Sequence, residues 1–131
     1  MPEKSTFDYI DNDPLVPVTL INPDSNKKEK AIAYLDTGSD TVVIPRELWL
    51  KLGLEMLYRS NVCAVGGIVT AWYTRINVRF LEKEHKEIIA FYQDEGDVLI
   101  GRNVLDEYSI TFDGTSQPIR HLQSVFPNRH K

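Results

Sequence analysis

Turn chemistry interrupts this chain so often that no apolar stretch can build a long helix, and that single feature decides most of what it can fold into. Leu15, Val16, Val18, Leu20 and Ile21 cluster with strand formers between them, and Asn22-Pro23-Asp24-Ser25-Asn26 then closes the run. The lysine-rich segment from Lys27 to Lys30 leads into Ala31-Ile32-Ala33-Tyr34-Leu35, so a hairpin carries the chain straight to Asp36. Thr41-Val42-Val43-Ile44-Pro45 reads as another short strand, followed by room for one short helix over Arg46 to Leu52 with Gly53 as its stop. Val62 to Val65 and Ile68 to Tyr73 flank Gly66-Gly67, a pattern that predicts a hairpin turning on the two glycines. Ile76 to Phe80 alternates, Glu82 to Glu87 reads as a charged turn, and Ile88 to Tyr92 and Val98 to Ile100 continue the series. A second short helix fits between Arg102 and Tyr108, before Ser109-Ile110-Thr111-Phe112. The expectation is an all-β chain with one or two short helices.

At 131 residues there is room for about one domain. Hydrophobic residues at 42% and charged residues at 26% support a packed core over disorder. A net charge of −4 provides no basic field for nucleic acid or an anionic membrane, so neither is an expected partner. Cys63 is the single cysteine and cannot close an internal disulfide, and no Cys/His cluster suggests a metal or other cofactor. The first residues carry no apolar signal core and no later run reaches membrane-spanning length, which leads to the expectation of a soluble, cytoplasmic protein. The opening stretch to Pro14 has three aspartates, two prolines and no periodicity. The expected division is an N-terminal arm over 1–14, the domain proper over 15–114 and a C-terminal tail over 115–131.

The chemistry centres on Leu35-Asp36-Thr37-Gly38-Ser39. Asp-Thr-Gly by itself most often makes an ordinary turn. Here it lies between two apolar strands and is separated by a glycine-tipped hairpin from a second apolar-apolar-Gly segment, Leu99-Ile100-Gly101. This order resembles the retroviral-type, or retropepsin-like, aspartic proteases, over about Leu15 to Asp113. Their glycine-rich flap is matched by Val65-Gly66-Gly67-Ile68-Val69, and their Ile-Ile-Gly-Arg-Asn segment by Leu99-Ile100-Gly101-Arg102-Asn103.

The resemblance implies a closed, mostly antiparallel sheet with a flap hairpin. It also implies a homodimer that cuts peptides with one Asp36 from each subunit, without metal or cofactor. Asp36 is then catalytic, Thr37 bonds across the dimer axis, and Gly38 leaves space for substrate backbone. Ser39, Asp40, Val65, Gly66, Gly67, Ile68 and Ile100 are the implied substrate-binding residues, with Val42 beside them, and Arg102 pairs with Asp40 in a structural role. The Ser39 hydroxyl is expected to donate to the Asp36 carboxylate.

Other features carry blander expectations. His85, His121 and His130 lie in charged or terminal stretches and read as solvated surface residues. Cys63 reads as a small buried hydrophobe. Trp49, Trp72, Tyr73 and Phe80 read as packing residues, with Tyr73 near enough to the hairpin to touch ligand. Phe112-Asp113-Gly114-Thr115 resembles part of a haloacid-dehalogenase signature, but Thr111 stands where its nucleophilic aspartate belongs. Two competing functions remain at this level: a dimeric peptide-binding module of the same fold that does not hydrolyse, and a β-rich assembly domain with an incidental Asp-Thr-Gly.

Overall fold

The computed structural model describes residues 5–9, 13–55, 58–113 and 121–127. In chain order the elements are β1 (Ser5–Asp8), β2 (Leu15–Ile21), β3 (Lys28–Leu35), β4 (Val42–Pro45), α1 (Arg46–Lys51), β5 (Tyr58–Ala64), β6 (Gly67–Phe80), β7 (Lys83–Gln93), β8 (Val98–Ile100), α2 (Arg102–Leu105), β9 (Tyr108–Asp113) and β10 (His121–Pro127). The all-β expectation holds, and both short helices fall where the sequence left room for them.

The main sheet runs β2-β3-β8-β4-β7-β6 and closes on itself because β2 also pairs with β6, Thr19 opposite Arg79 and Ile21 opposite Asn77. Only β3–β8 and β4–β7 are parallel. Period-2 patterning fills the inside: Val16, Val18 and Leu20 of β2 are buried while Pro17 faces out. They meet Leu35, Val42, Ile44, Ile76, Val78, Phe80, Val98 and Ile100 in one core. Each such aliphatic or aromatic side chain contributes about 1.5–3 kcal/mol through burial. Trp49 of α1 is buried against them with Tyr92 edge-on at 5.4 Å, and Gly53 at φ +66 ends the helix.

Two turns differ from expectation. The β5–β6 register pairs Ala64 with Gly67, so the two-residue turn is Val65-Gly66 and Gly67 already belongs to the strand. Gly66 takes φ +98 while Val65 is not in the left-handed region, the sign pattern of a type II turn with glycine at its second central position. The segment Glu82 to Glu87 is not a charged loop. Leu81 and Glu82 form a tight turn, both at positive φ (55° and 64°), and Lys83 onward is already β7.

The stretches set apart as arm and tail each carry a strand. β1 and β10 pair, and β10 pairs with β9, giving a three-stranded antiparallel sheet in which β9 is an edge. No helix among the described residues is long and apolar enough to cross a membrane.

Candidate active site

β3 and β4 are neighbours in sequence but not in the sheet, because β8 lies between them, parallel to β3 and antiparallel to β4. The loop carrying Asp-Thr-Gly must therefore pass over the end of β8, and hydrogen bonds fix it there. Asp36 N donates to Ile100 O at 3.0 Å, Ser39 N to Asp36 O at 3.1 Å, Arg102 N to Ser39 O at 2.8 Å and Asn103 N to Asp40 O at 3.1 Å. The crossing is so close that a Cβ at Gly101 would lie 2.2 Å from Thr41 O, so no larger residue fits.

Within this frame Asp36 is half-buried and Thr37 and Gly38 are exposed. The Gly38 N–H donates to Asp36 Oδ1 at 2.9 Å, orienting the carboxylate from its own turn. A Cβ at Gly38 would sit 3.1 Å from that same oxygen. The Ser39 hydroxyl does not reach Asp36: it donates to Thr41 O at 2.7 Å, closing the loop on itself. Arg102 Nη2 does donate to Asp40 Oδ1, as expected, but both side chains are largely exposed in the single chain, where such a pair contributes about 0–1 kcal/mol.

The apolar wall beside the carboxylate is shifted by one residue from the expectation. Val42 and Ile100 are fully buried core residues and cannot touch substrate. Residues two apart on a strand share a face, so Tyr34 lies on the Asp36 side while Ala33 and Leu35 point inward. Leu99 sits opposite Tyr34 on one side and Val43 on the other, and all three are half-buried. Tyr34, Leu99 and Val43 thus form the accessible row. Sequence analysis missed this row, although alternation along β3 was the signal that could have found it.

The β5–β6 hairpin is the second component. Val65 and Ile68 at its tip are exposed, 108% and 71%, and Gly66 and Gly67 between them are exposed too. Cys63, opposite Ile68, is exposed rather than buried, because no second layer stands behind this two-stranded ribbon. On the hairpin stem the Arg59 guanidinium lies over the Trp72 ring at 5.9 Å.

No protein-family model matches the sequence, and no curated protein matches it significantly. Among solved structures the chain is similar to a retropepsin-like aspartic protease from Rickettsia conorii, with a TM-score of 0.63 at 16% identity over 98% of this chain and 95% of that one. It is also similar to EIAV protease complexed with the inhibitor HBY-793, with a TM-score of 0.54 at 21% identity over 74% of this chain and 88% of that one. The chain has the retropepsin fold.

One histidine departs from the solvated reading within this retropepsin fold. His85 faces the core from β7, opposite the buried Val78, and is 4% exposed. Its Nε2 lies 2.7 Å from the Tyr108 hydroxyl and its Nδ1 3.3 Å from Glu107 Oε2, while Lys83 pairs with the other Glu107 oxygen at 3.1 Å. Burial pulls the His85 pKa below its usual value, against the opposing pull of Glu107, and pushes Tyr108 up to about 12. The side chain of His121, and His130, lie outside what the structure describes.

Proposed function

We propose that this chain is one subunit of an aspartic endopeptidase and acts as a symmetric homodimer, each subunit contributing one Asp36. The observation that carries the reading is a single carboxylate, oriented by Gly38 N–H and held at the accessible end of a crossing that the rest of the barrel fixes. One such carboxylate per chain is half of what water-mediated peptide hydrolysis needs. Two carboxylates brought together share one proton and titrate as a pair, a property of aspartic proteases as a class that the resemblance implies.

In the proposed reaction the ionised Asp36 takes a proton from water as the water oxygen attacks the peptide carbonyl carbon. The protonated Asp36 of the other subunit gives its proton to the carbonyl oxygen, and a neutral gem-diol results. Collapse breaks the C–N bond, one aspartic acid protonates the leaving nitrogen, and the diol hydroxyl returns a proton to the other. No covalent enzyme intermediate forms. Thr37 contacts its counterpart across the axis, the row Tyr34, Val43 and Leu99 receives apolar side chains of an extended peptide, and the hairpin tip at Val65, Gly66, Gly67 and Ile68 covers it as a flap. Residues 15–114 hold all of this apparatus, and the exposed thiol of Cys63 suits a reducing, cytoplasmic setting.

The test is turnover of a mixed peptide library by wild-type protein and by Asp36→Asn, which removes the ionisable group but almost no volume. Cleavage should fall by at least about a thousandfold with fold and dimer intact, and excess Asp36→Asn chains should suppress wild-type activity through dead heterodimers. Residual cleavage in the purified variant would overturn the catalytic assignment. Peptide binding without cleavage by wild type would leave a binding module instead.

A further inference from the structure

At the root of the hairpin, and only there, β5, β6 and β7 run side by side. β6 pairs with β7 from Phe80 opposite Lys83 as far as Tyr73 opposite Phe91, and there β7 leaves it. β5 pairs with β6 alone, beginning with Tyr58 opposite Tyr73. Tyr58, Tyr73 and Phe91 therefore make up the last row that crosses all three strands. Beyond it, from Arg59 opposite Trp72 to Ala64 opposite Gly67, the hairpin is a bare two-stranded ribbon. Such a ribbon has little stability of its own in water, so its pose is set by whatever grips its root.

The three side chains of that row are all aromatic, and they touch in sequence across the strands. The Tyr58 and Tyr73 rings stack with centroids 5.2 Å apart and planes 25° apart, and Tyr73 and Phe91 follow at 5.2 Å and 34°. Thr74 and Ala90, next in line on β6 and β7, are buried, so the ring column lies on the outward face of the sheet. Tyr58 is 47% exposed and still holds its stacked geometry. The column spans the boundary between the anchored barrel and the free ribbon, and Tyr73 is the one ring in contact with both sides.

We propose that Tyr73, clasped between Tyr58 and Phe91, is the positioning residue on which the β5–β6 hairpin pivots, setting how closely the hairpin tip stands over bound substrate. The clasp rests on the reading of this hairpin as the cover of the Asp36 site. Tyr73 itself touches no reacting atom. The ring column acts through the angle at which the ribbon leaves the barrel, so losing it weakens substrate retention and leaves the chemistry of the carboxylates alone.

The test uses the full-length protein and two substitutions, Tyr73→Ala and Tyr73→Phe, with a readout that needs no activity. Hydrogen exchange of the amides from Asn61 to Thr70 should quicken about tenfold in Tyr73→Ala, the scale of losing one or two aromatic contacts, while β2 and β3 amides keep their wild-type rates. Tyr73→Phe, which retains the ring, should restore the hairpin rates. In peptide turnover, Tyr73→Ala should raise KM by a similar factor with kcat changed less than twofold. Unchanged hairpin exchange in Tyr73→Ala would overturn the proposal, and so would faster exchange spread evenly over the barrel, which would mark Tyr73 as ordinary packing. If wild type cleaves nothing, the exchange arm still decides the pivot, and the failure belongs to the protease reading alone.

Discussion

The Asp36 loop and the β5–β6 hairpin are both short, glycine-containing turns, yet they are held in opposite ways. Around Asp36 the loop from 36 to 41 is tied to β8 and α2 by three backbone hydrogen bonds, closed by a fourth of its own, and approached so closely that Gly101 has no room for a Cβ. At the hairpin, a Cβ on Gly66 or Gly67 would meet nothing within 4 Å, and beyond the ring column at its root the ribbon pairs with no third strand among the described residues. The two glycine sets therefore serve different ends. Gly101 makes room, whereas Gly66 supplies a backbone angle. Under the proposed function, such a site fixes the charged group in advance and leaves its cover free to open for an extended chain.

Substitution at the two glycines should expose the contrast. Gly101→Ala drives a methyl into Thr41 O, Thr41 C and Ser39 O at 2.2, 2.6 and 2.7 Å, all of them backbone atoms. The expected cost is about 3 kcal/mol or more, read as a lowered urea midpoint with activity lost alongside it. A melting temperature equal to wild type would show that the crossing yields, and the contrast would dissolve.

An intermediate effect is expected from acid, and it should fall on the barrel and not on the hairpin. Because burial lowers the folded pKa of His85, the unfolded chain binds its proton first, so this contribution is fully present above about pH 6.5 and is lost as pH falls from there toward the lowered folded value. Glu107, whose burial is outweighed by Lys83 and His85, also titrates below its usual value and adds a second loss at lower pH. Thermal melting across pH 7.5 to 4.5 should show the decline, and His85→Gln should flatten its upper part. An identical profile in the variant would remove His85 from the account.

Gly66→Ala should be the mildest. Alanine at φ +98 costs about 1 kcal/mol, but the strain sits in a ribbon that the barrel does not depend on. The global melting temperature should stay within error of wild type while KM for peptide rises. A clear drop in melting temperature would mean that the hairpin is more tightly integrated than its pairing shows.

Much of the frame was legible because it is carried by residue types with narrow uses: Asp36-Thr37-Gly38 at a strand end, Gly101 before Arg102, Pro45 and Gly53 around α1. What failed was register. A strand's side chains alternate, so an error of one residue exchanges the two faces, and Val42 and Ile100 were read as lining the site although they are buried and it is their neighbours Val43 and Leu99 that are accessible. The hairpin turn slipped by one for a related reason, since two consecutive glycines leave the choice of turn positions to the pairing of the arms. His85 was hidden by its neighbours, because Lys83, Glu84, Lys86 and Glu87 make the segment look like a solvated turn when alternate residues of β7 face inward. The Ser39 hydroxyl could not be placed without the path of the loop that it closes.

The hydrogen bond from Asp36 N to Ile100 O also sets an order of events in the life of the chain. Contacts between residues far apart in sequence form late, after the entropy of closing the intervening loop has been met. A ribosome delivers the Asp-Thr-Gly segment early, but the strand it must cross, and the glycine that it packs against, emerge some sixty residues afterwards. Until then the carboxylate hangs on an unformed loop. Under the proposed function, the nascent chain is in this way kept from presenting a finished half-site while the rest of it, still extended, is the most accessible peptide in reach.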